Sequence, residues 1–198
     1  MKRWKTLQKE ILKPTDKTTL AKEKVELPDG SVSEYAYIDS KGSVMVIPIK
    51  MDDPSGQPKY ILVQQYRHPV TTYDLEFPAG GREPGESSQD AARRELKQET
   101  GYDTKNIKFL YSLFSSPSVS NNQLAVYIAL VEGDHSNDYA ESGEKQAFMK
   151  VVELSTEELH KKVLENEITD SQTLAALSVY LLNSQAAKKY LQQSTENV

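Results

Sequence analysis

The chain has 198 residues, 37% of them hydrophobic, a formal net charge of -5 and no cysteine. That supplies apolar material for one substantial core plus a small extra element, and the acidic balance disfavours a polyanion-binding surface, which argues against long nucleic acid as a partner. No disulfide framework can form, the start MKRWKTLQKEI lacks a signal peptide's apolar core, and no run approaches a membrane span; the expectation is a soluble cytoplasmic protein without membrane contact.

In chain order, VELPDGSVSEYAYI reads as an antiparallel β-hairpin turned at Asp29-Gly30, and SVMVIPIK and KYILVQQY as two strands separated by the loop MDDPSGQP. A Gly-rich loop containing Pro84 then leads to a helix. Ser87, Ser88 or Asp90 can cap its start, and Gly101 can stop it in the left-handed conformation. IKFLYSLF, QLAVYIALV and QAFMKVVEL are three more strand-like runs, so a mixed sheet packs helices on both faces in an α/β sandwich. Ser155-Thr156-Glu157-Glu158 is a capping box opening a helix with Leu159 and Val163 on one face, and TDSQTLAALSVYLLN opens another. Joined by NEITD, these two have the outline of a helix-turn-helix. Yet Thr169 to Ala187 contains no Lys or Arg for phosphate contacts, so both are expected to pack on the sandwich with Leu174, Leu177 and Leu181 inward. The expected organisation is an N-terminal β extension over residues 1–40, a main domain over 41–190 and a polar tail over 191–198.

The informative stretch is GGREPGESSQDAARRELKQETGY, residues 80–102. At about 100° per residue, Glu95 and Glu99 project about 40° apart, which puts two carboxylates on one stripe a turn apart. Ala92 and Leu96 lie beside that stripe and can seat the helix on a sheet while the acids face a cleft. Clustered carboxylates repel, and a divalent cation relieves the repulsion. A hard-oxygen set of Glu side chains, a backbone carbonyl and waters suits Mg²⁺ or Mn²⁺ better than zinc. The competing reading is a solvated helix whose Glu and Arg residues make surface ion pairs.

The spacing of Gly80, Glu86, Arg94, Glu95, Glu99 and Gly101 resembles the Nudix box, G-x5-E-x7-R-E-U-x-E-E-x-G-U with U a bulky apolar residue. Gln98 departs from it, standing where the first Glu of the EE pair is usual, and Tyr102 is an aromatic variant of the last U. The resemblance implies that Glu95 and Glu99 bind metal, with Glu86 and the carbonyl of Ala79 as further contacts, and that Arg94 orients the carboxylates. Gln98 implies weaker metal affinity and a smaller number of ions. Upstream, YILVQQYRHPV and DLEFPAGG resemble the ADP-ribose pyrophosphatase branch, which makes Arg67 and Glu76 substrate-binding candidates. Pro117, fifteen residues after Tyr102, sits where that branch carries a proline; Ser118-Val119 replaces the usual Gly-Phe, and Asn121 and Asn122 replace the acids often found next.

The implied activity is hydrolysis of ADP-ribose or a related nucleoside diphosphate sugar to a nucleoside monophosphate and a sugar phosphate, on a Nudix-type α/β/α sandwich. The rival is a catalytically impaired Nudix domain that senses such a ligand, motivated by Gln98 and by Ala147, which precedes Phe148 where some relatives carry Glu. For the general base, the resemblance points to a loop acid in GDHSNDYAESGEKQAFMKV, with Glu144 preferred over Glu141 and with Glu86 or Glu99 as the fallback. In that branch a segment equivalent to residues 1–40 builds a homodimer and lends aromatics to the partner's base-binding site, which makes Trp4, Tyr35 and Tyr37 stacking candidates.

Overall fold

The structure is a computed structural model describing residues 3–14, 19–51, 57–133 and 149–183. SVMVIPIK forms β4 (Ser43–Lys50), buried on both faces, as its nearly unbroken apolar run requires. Val44 and Val46 point to one side, and Met45, Ile47 and Ile49 to the other. Against the first side packs α1 (Ser88–Thr100) through Ala91, Ala92 and Leu96. Against the second pack α2 (Thr156–Leu164) and α3 (Ser171–Leu182) through Leu159, Ala176, Leu177 and Tyr180. The three layers are those expected of an α/β/α sandwich.

The sheet is mixed. Its seven strands run β10-β5-β4-β9-β8, with β6 on β5 and β7 on β4. These are β5 (Lys59–Arg67), β6 (Thr72–Glu76), β7 (Ala79–Gly81), β8 (Ile107–Phe114), β9 (Gln123–Val131) and β10 (Lys150–Ser155). β4 and β9 are parallel, while the other pairs are antiparallel. On its other side β4 meets β5 only at Ile49 and Lys50, and β7 at Ser43 to Met45. Val46 donates its N–H to Pro78 on that side, and Pro48, two residues on, has no N–H to give. The proline therefore falls in the gap where β4 has left β7 and has not yet met β5. The divergence lets β6, Phe77, Pro78 and β7 run across the wedge.

Two side chains fix that crossing segment to the second helical layer. Buried Asp74 accepts from the Thr169 N–H at 3.0 Å and from the Thr169 hydroxyl, and the Phe77 N–H donates to Thr173 Oγ1 at 3.1 Å. At the far end of α1, the Tyr102 hydroxyl donates to Glu153 Oε1 of β10 at 2.6 Å, with Lys50 Nζ 3.5 Å from the same oxygen. Burial, followed by Glu153, pushes the Tyr102 hydroxyl up to about 12, so it remains a donor across the working range.

The ends of the helices follow their sequence signals. Ser87 caps α1 by accepting from the Asp90 N–H, Gly101 closes it at φ 74°, and Ser155 with Glu158 forms both bonds of the capping box. Leu181 departs from expectation: it is 47% exposed, and Tyr180 packs inward instead. α3 turns a different stripe, Thr173, Ala176, Leu177 and Tyr180, toward the sheet, and its nearly all-round apolar sequence does not distinguish the two choices. The antiparallel N-terminal element is also larger than a hairpin. β2 (Thr19–Glu26) and β3 (Val32–Asp39) flank the expected turn, and β1 (Lys5–Pro14) adds a third strand on β2. Register shifts between Thr6 and Gln8 and between Ile11 and Lys13 break the two-residue alternation that would have marked β1, and all ten of its residues are exposed.

Candidate active site

Arg94 gathers the polar groups of the 80–102 stretch into one cluster. Its guanidinium donates to Glu86 through Nε at 2.8 Å and Nη2 at 3.0 Å, to Glu95 Oε1 at 2.7 Å, to Gln98 Oε1 at 3.1 Å and to the Gly81 carbonyl at 3.0 Å. Arg94 holds the Glu86 carboxyl below its ordinary value, and its own basicity rises in return. Gln98, the departure from the box pattern, is engaged by Arg94 as a neutral acceptor.

Glu99 lies on the same face but bonds elsewhere, accepting the Ala79 N–H at 3.0 Å. Burial pushes its carboxyl up to about 8, against the lowering effect of that N–H and with help from the nearby charge of Glu95. Gly80 passes directly over Glu95: a Cβ there would meet Glu95 Oε1 at 2.1 Å. This is where glycine is needed for close approach, since the backbone and the carboxylate share space that no other residue leaves open.

On the β5–β6 hairpin, buried Glu76 receives Arg67 in a two-point pair, Nε to Oε1 at 2.7 Å and Nη2 to Oε2, with Gln65 Nε2 3.2 Å from Oε2. The pairing raises the basicity of Arg67. Arg67 thus stands on the rim of the site, and the buried Glu76 carboxylate, expected to meet substrate, is engaged by Arg67 and Gln65. A cleft of about 480 Å³ brings Arg67, Gln65, Ala79 and Glu99 together with Tyr66 and Tyr73. Its size suits a ligand larger than a diphosphate alone.

The N-terminal aromatics divide. Trp4 and Tyr35 meet edge to face with centroids 6.5 Å apart, and Tyr35 donates to the Ser118 carbonyl beside Pro117 at 2.7 Å. Tyr37 is engaged within its own sheet, donating to Glu23 at 2.8 Å. Asn121 and Asn122, which stand where acids were expected, bridge to Asp39, Ser40 and Ser43 and so tie the β8–β9 connection to the N-terminal sheet and to β4. Glu141 and Glu144 lie outside the described residues. The aromatic pair of Tyr66 and Tyr73 was missed by sequence reasoning; their positions opposite each other across the β5–β6 hairpin were the available signal.

The family profile of the NUDIX domain matches residues 41–171. The chain belongs to the Nudix domain family. Among its relatives, a methanol dehydrogenase activator of Bacillus methanolicus is 33% identical over 164 residues, covering 83% of this chain and 84% of that protein. An ADP-ribose pyrophosphatase of Bacillus subtilis is 30% identical over 173 residues, covering 87% and 90%. A mouse ADP-sugar pyrophosphatase is 35% identical over 123 residues, covering 61% and 56%. A crystal structure of an ADP compounds hydrolase superposes with TM-score 0.74 at 19% identity over 96% of this chain and 97% of that one, which supports the Nudix fold.

Nudix pyrophosphatases of this kind generally use divalent metal ions. Among the described residues no three acidic or imidazole side chains form a ready-made ion cage, because Arg94 holds Glu86 and Glu95 while Glu99 turns to Ala79. The donor chemistry nevertheless fits a hard cation. It offers carboxylates on one helix stripe, one of them carrying a desolvation penalty that a cation would relieve, beneath a glycine that leaves room for nothing larger.

Two outcomes are expected. Gly80→Ala should displace the far end of Glu95 and leave the backbone in place, so the variant melts near wild type while its affinity for divalent ions drops at least about tenfold, as read by titration calorimetry. A fully retained affinity would remove Glu95 from the ion site. The second outcome concerns pH. With a folded value of about 8 against an ordinary 4.5, Glu99 keeps a proton that the unfolded chain has released, so its contribution to metal-free stability declines as pH rises between those values. Glu99→Gln keeps an acceptor for Ala79 and deletes the ionisation. In chelator it should melt above wild type at about pH 9 and level with it at about pH 4, and a gap independent of pH would contradict the burial of this acid.

Proposed function

We propose that this chain hydrolyses the pyrophosphate bond of ADP-ribose or a related nucleoside diphosphate sugar, using Mg²⁺ with Mn²⁺ as a substitute, and releases a nucleoside monophosphate and a sugar phosphate. The observation that carries the reading is one cleft containing both a helix-borne carboxyl, Glu99, and a rim guanidinium, Arg67, in a chain whose relatives include an ADP-ribose pyrophosphatase and an ADP-sugar pyrophosphatase. Arg67, aimed by Glu76, donates to the diphosphate oxygens and orients the substrate along the cleft. Glu86, Glu95, Glu99 and the Ala79 carbonyl would hold the metal, with Arg94 fixing the first two carboxylates in place. Bound there, the cation would offset the charge of the diphosphate and of the transition state. A water oxygen forms the new bond to phosphorus, the bridging P–O bond breaks, and the proton passes to a carboxylate, for which Glu144 is our assignment.

The working form we propose is a cytoplasmic homodimer built through the N-terminal sheet, which carries Leu7, Ile11 and Leu12 on exposed positions and is preceded by exposed Trp4. The Arg94 clamp also supports a second reading, a sensing domain that binds the ligand without turning it over, because Arg94 engages two of the acids and the neutral Gln98.

Incubation with ADP-ribose and Mg²⁺ should yield AMP, and Glu95→Gln or Glu99→Gln should each lower turnover by about 10² or more. Tight ADP-ribose binding with no metal-dependent AMP would establish the sensor reading instead. Glu144→Gln should depress kcat and flatten its pH dependence while Glu141→Gln leaves both near wild type; the reverse pattern would move the base to Glu141.

A further inference from the structure

The helix that carries Glu95 and Glu99 lays a nearly smooth face on the sheet. Its buried residues are Ala91, Ala92, Leu96 and Thr100, and the first three pack with Val44, Val46, Ala129 and Val131. Small and β-branched side chains make shallow ridges and grooves, so this seat resists lifting off the sheet more than it resists sliding along the helix axis. Arg94 fixes that axial position weakly, because of its partners only the Gly81 carbonyl belongs to a strand; Glu86, Glu95 and Gln98 lie on the preceding loop or on α1 itself.

A metal-holding wall needs the axial position set closely. An α-helix rises about 1.5 Å per residue, and Mg²⁺ takes its oxygens at about 2.0–2.1 Å in near-octahedral geometry, so a slip of a fraction of one residue spoils the set. Glu99 has to meet the Ala79 N–H and Glu95 has to pass beneath Gly80, both on β7. Two phenol hydroxyls stand at the two ends of α1. At its first residue, Ser88 Oγ lies 2.6 Å from the hydroxyl of Tyr127 on β9, whose buried ring packs edge to face on Phe109 with centroids 5.7 Å apart. Just past its last residue, buried Tyr102 donates to Glu153 of β10 at 2.6 Å, and Lys50 Nζ of β4 lies 5.7 Å from the centre of its ring. β9 and β10 are on opposite sides of β4, so opposite ends of the helix are held to opposite sides of the sheet.

We propose that Tyr127 and Tyr102 are positioning residues for the metal-binding wall. Their hydroxyls set where α1 rests along its own axis, and through it the placement of Glu95 and Glu99 beneath Gly80 and Ala79. This rests on the assignment of those acids to the metal in the hydrolase reading above. Neither tyrosine lines the cleft, so both act through the helix and not on the substrate. The rings fill the core with or without their oxygens, which separates the tie from the packing.

The full chain is compared as Tyr127→Phe, Tyr102→Phe and the double variant. Tyr180→Phe serves as the reference, because it removes a buried hydroxyl that faces Tyr60 in the other helical layer. Mg²⁺ affinity, titrated by calorimetry without substrate, should fall about threefold in each single variant and about tenfold in the double, while Tyr180→Phe binds as wild type even where it melts lower. Ser88→Ala should reproduce Tyr127→Phe and add nothing on top of it, and Ser88→Thr should restore the affinity. In metal-free protein the Ala79 amide, which bonds Glu99, should exchange its proton faster in Tyr127→Phe and Tyr102→Phe relative to the amides of β4, and keep its wild-type ratio in Tyr180→Phe. An affinity that follows melting temperature in every variant, Tyr180→Phe included, or an Ala79 amide that keeps its ratio throughout, would show that the hydroxyls serve stability alone and would overturn the proposal. Both measurements are made without ADP-ribose. The expected shifts in a chain that releases no AMP would therefore uphold the positioning role and count against the hydrolase reading alone.

Discussion

The organisation of the site depends on one guanidinium. Arg94 spends its hydrogen-bonding capacity on Glu86, Glu95, Gln98 and the Gly81 carbonyl, and so joins the loop before α1 to the helix itself. Arginine suits this task because its donors form a flat fork that addresses several oxygens at once; lysine would offer a point charge and lose the register between loop and helix. The clamp also balances charge. Glu86 is kept ionised beside the guanidinium, while Glu99, buried and bonded to a backbone N–H, is pushed toward its neutral form.

The sheet explains why a cleft exists beside this helix. A central strand that paired fully with both neighbours would close the surface. β4 instead pairs with β7 as far as Met45 and with β5 only at Ile49 and Lys50, with Pro48 in the interval, and the segment from Asp74 to Gly81 crosses the opening under the control of Thr169 and Thr173. Ala79 and Gly80 are consequently delivered against Glu99 and Glu95 by the second helical layer, on the opposite face from α1. Buried polar bonds of this kind contribute little net stability but are costly to leave unmade, which makes them effective at specifying one path for the chain.

Much of this was legible in the sequence. The glycine-framed helix, its caps, the two carboxylates a turn apart and the buried run of β4 each have a local signal that tertiary structure had no reason to override. β1 was not legible, because its bulges erase alternation and its residues meet solvent. Leu181 was misplaced because α3 is apolar around most of its circumference, and which stripe faces inward is decided by the partners Tyr60 and Phe77. The pairing of Arg67 with Glu76 lies nine residues apart in the chain and becomes visible only once the hairpin register is known. Tyr66 and Tyr73 were hidden for the same reason.

The link between Tyr102 and Glu153 has a mechanical side. Tyr102 follows Glu99 by three residues, and Glu153 follows Met149, which lines the cleft, by four. With Lys50 of the central strand completing the knot, the end of the acid-bearing helix and the middle of β10 are pinned to one point inside the protein. A pull on either is therefore transmitted to the other with little slack, and an aromatic hydroxyl at a position that the family pattern fills with a plain apolar group acts here as a rivet between two walls of the same chamber.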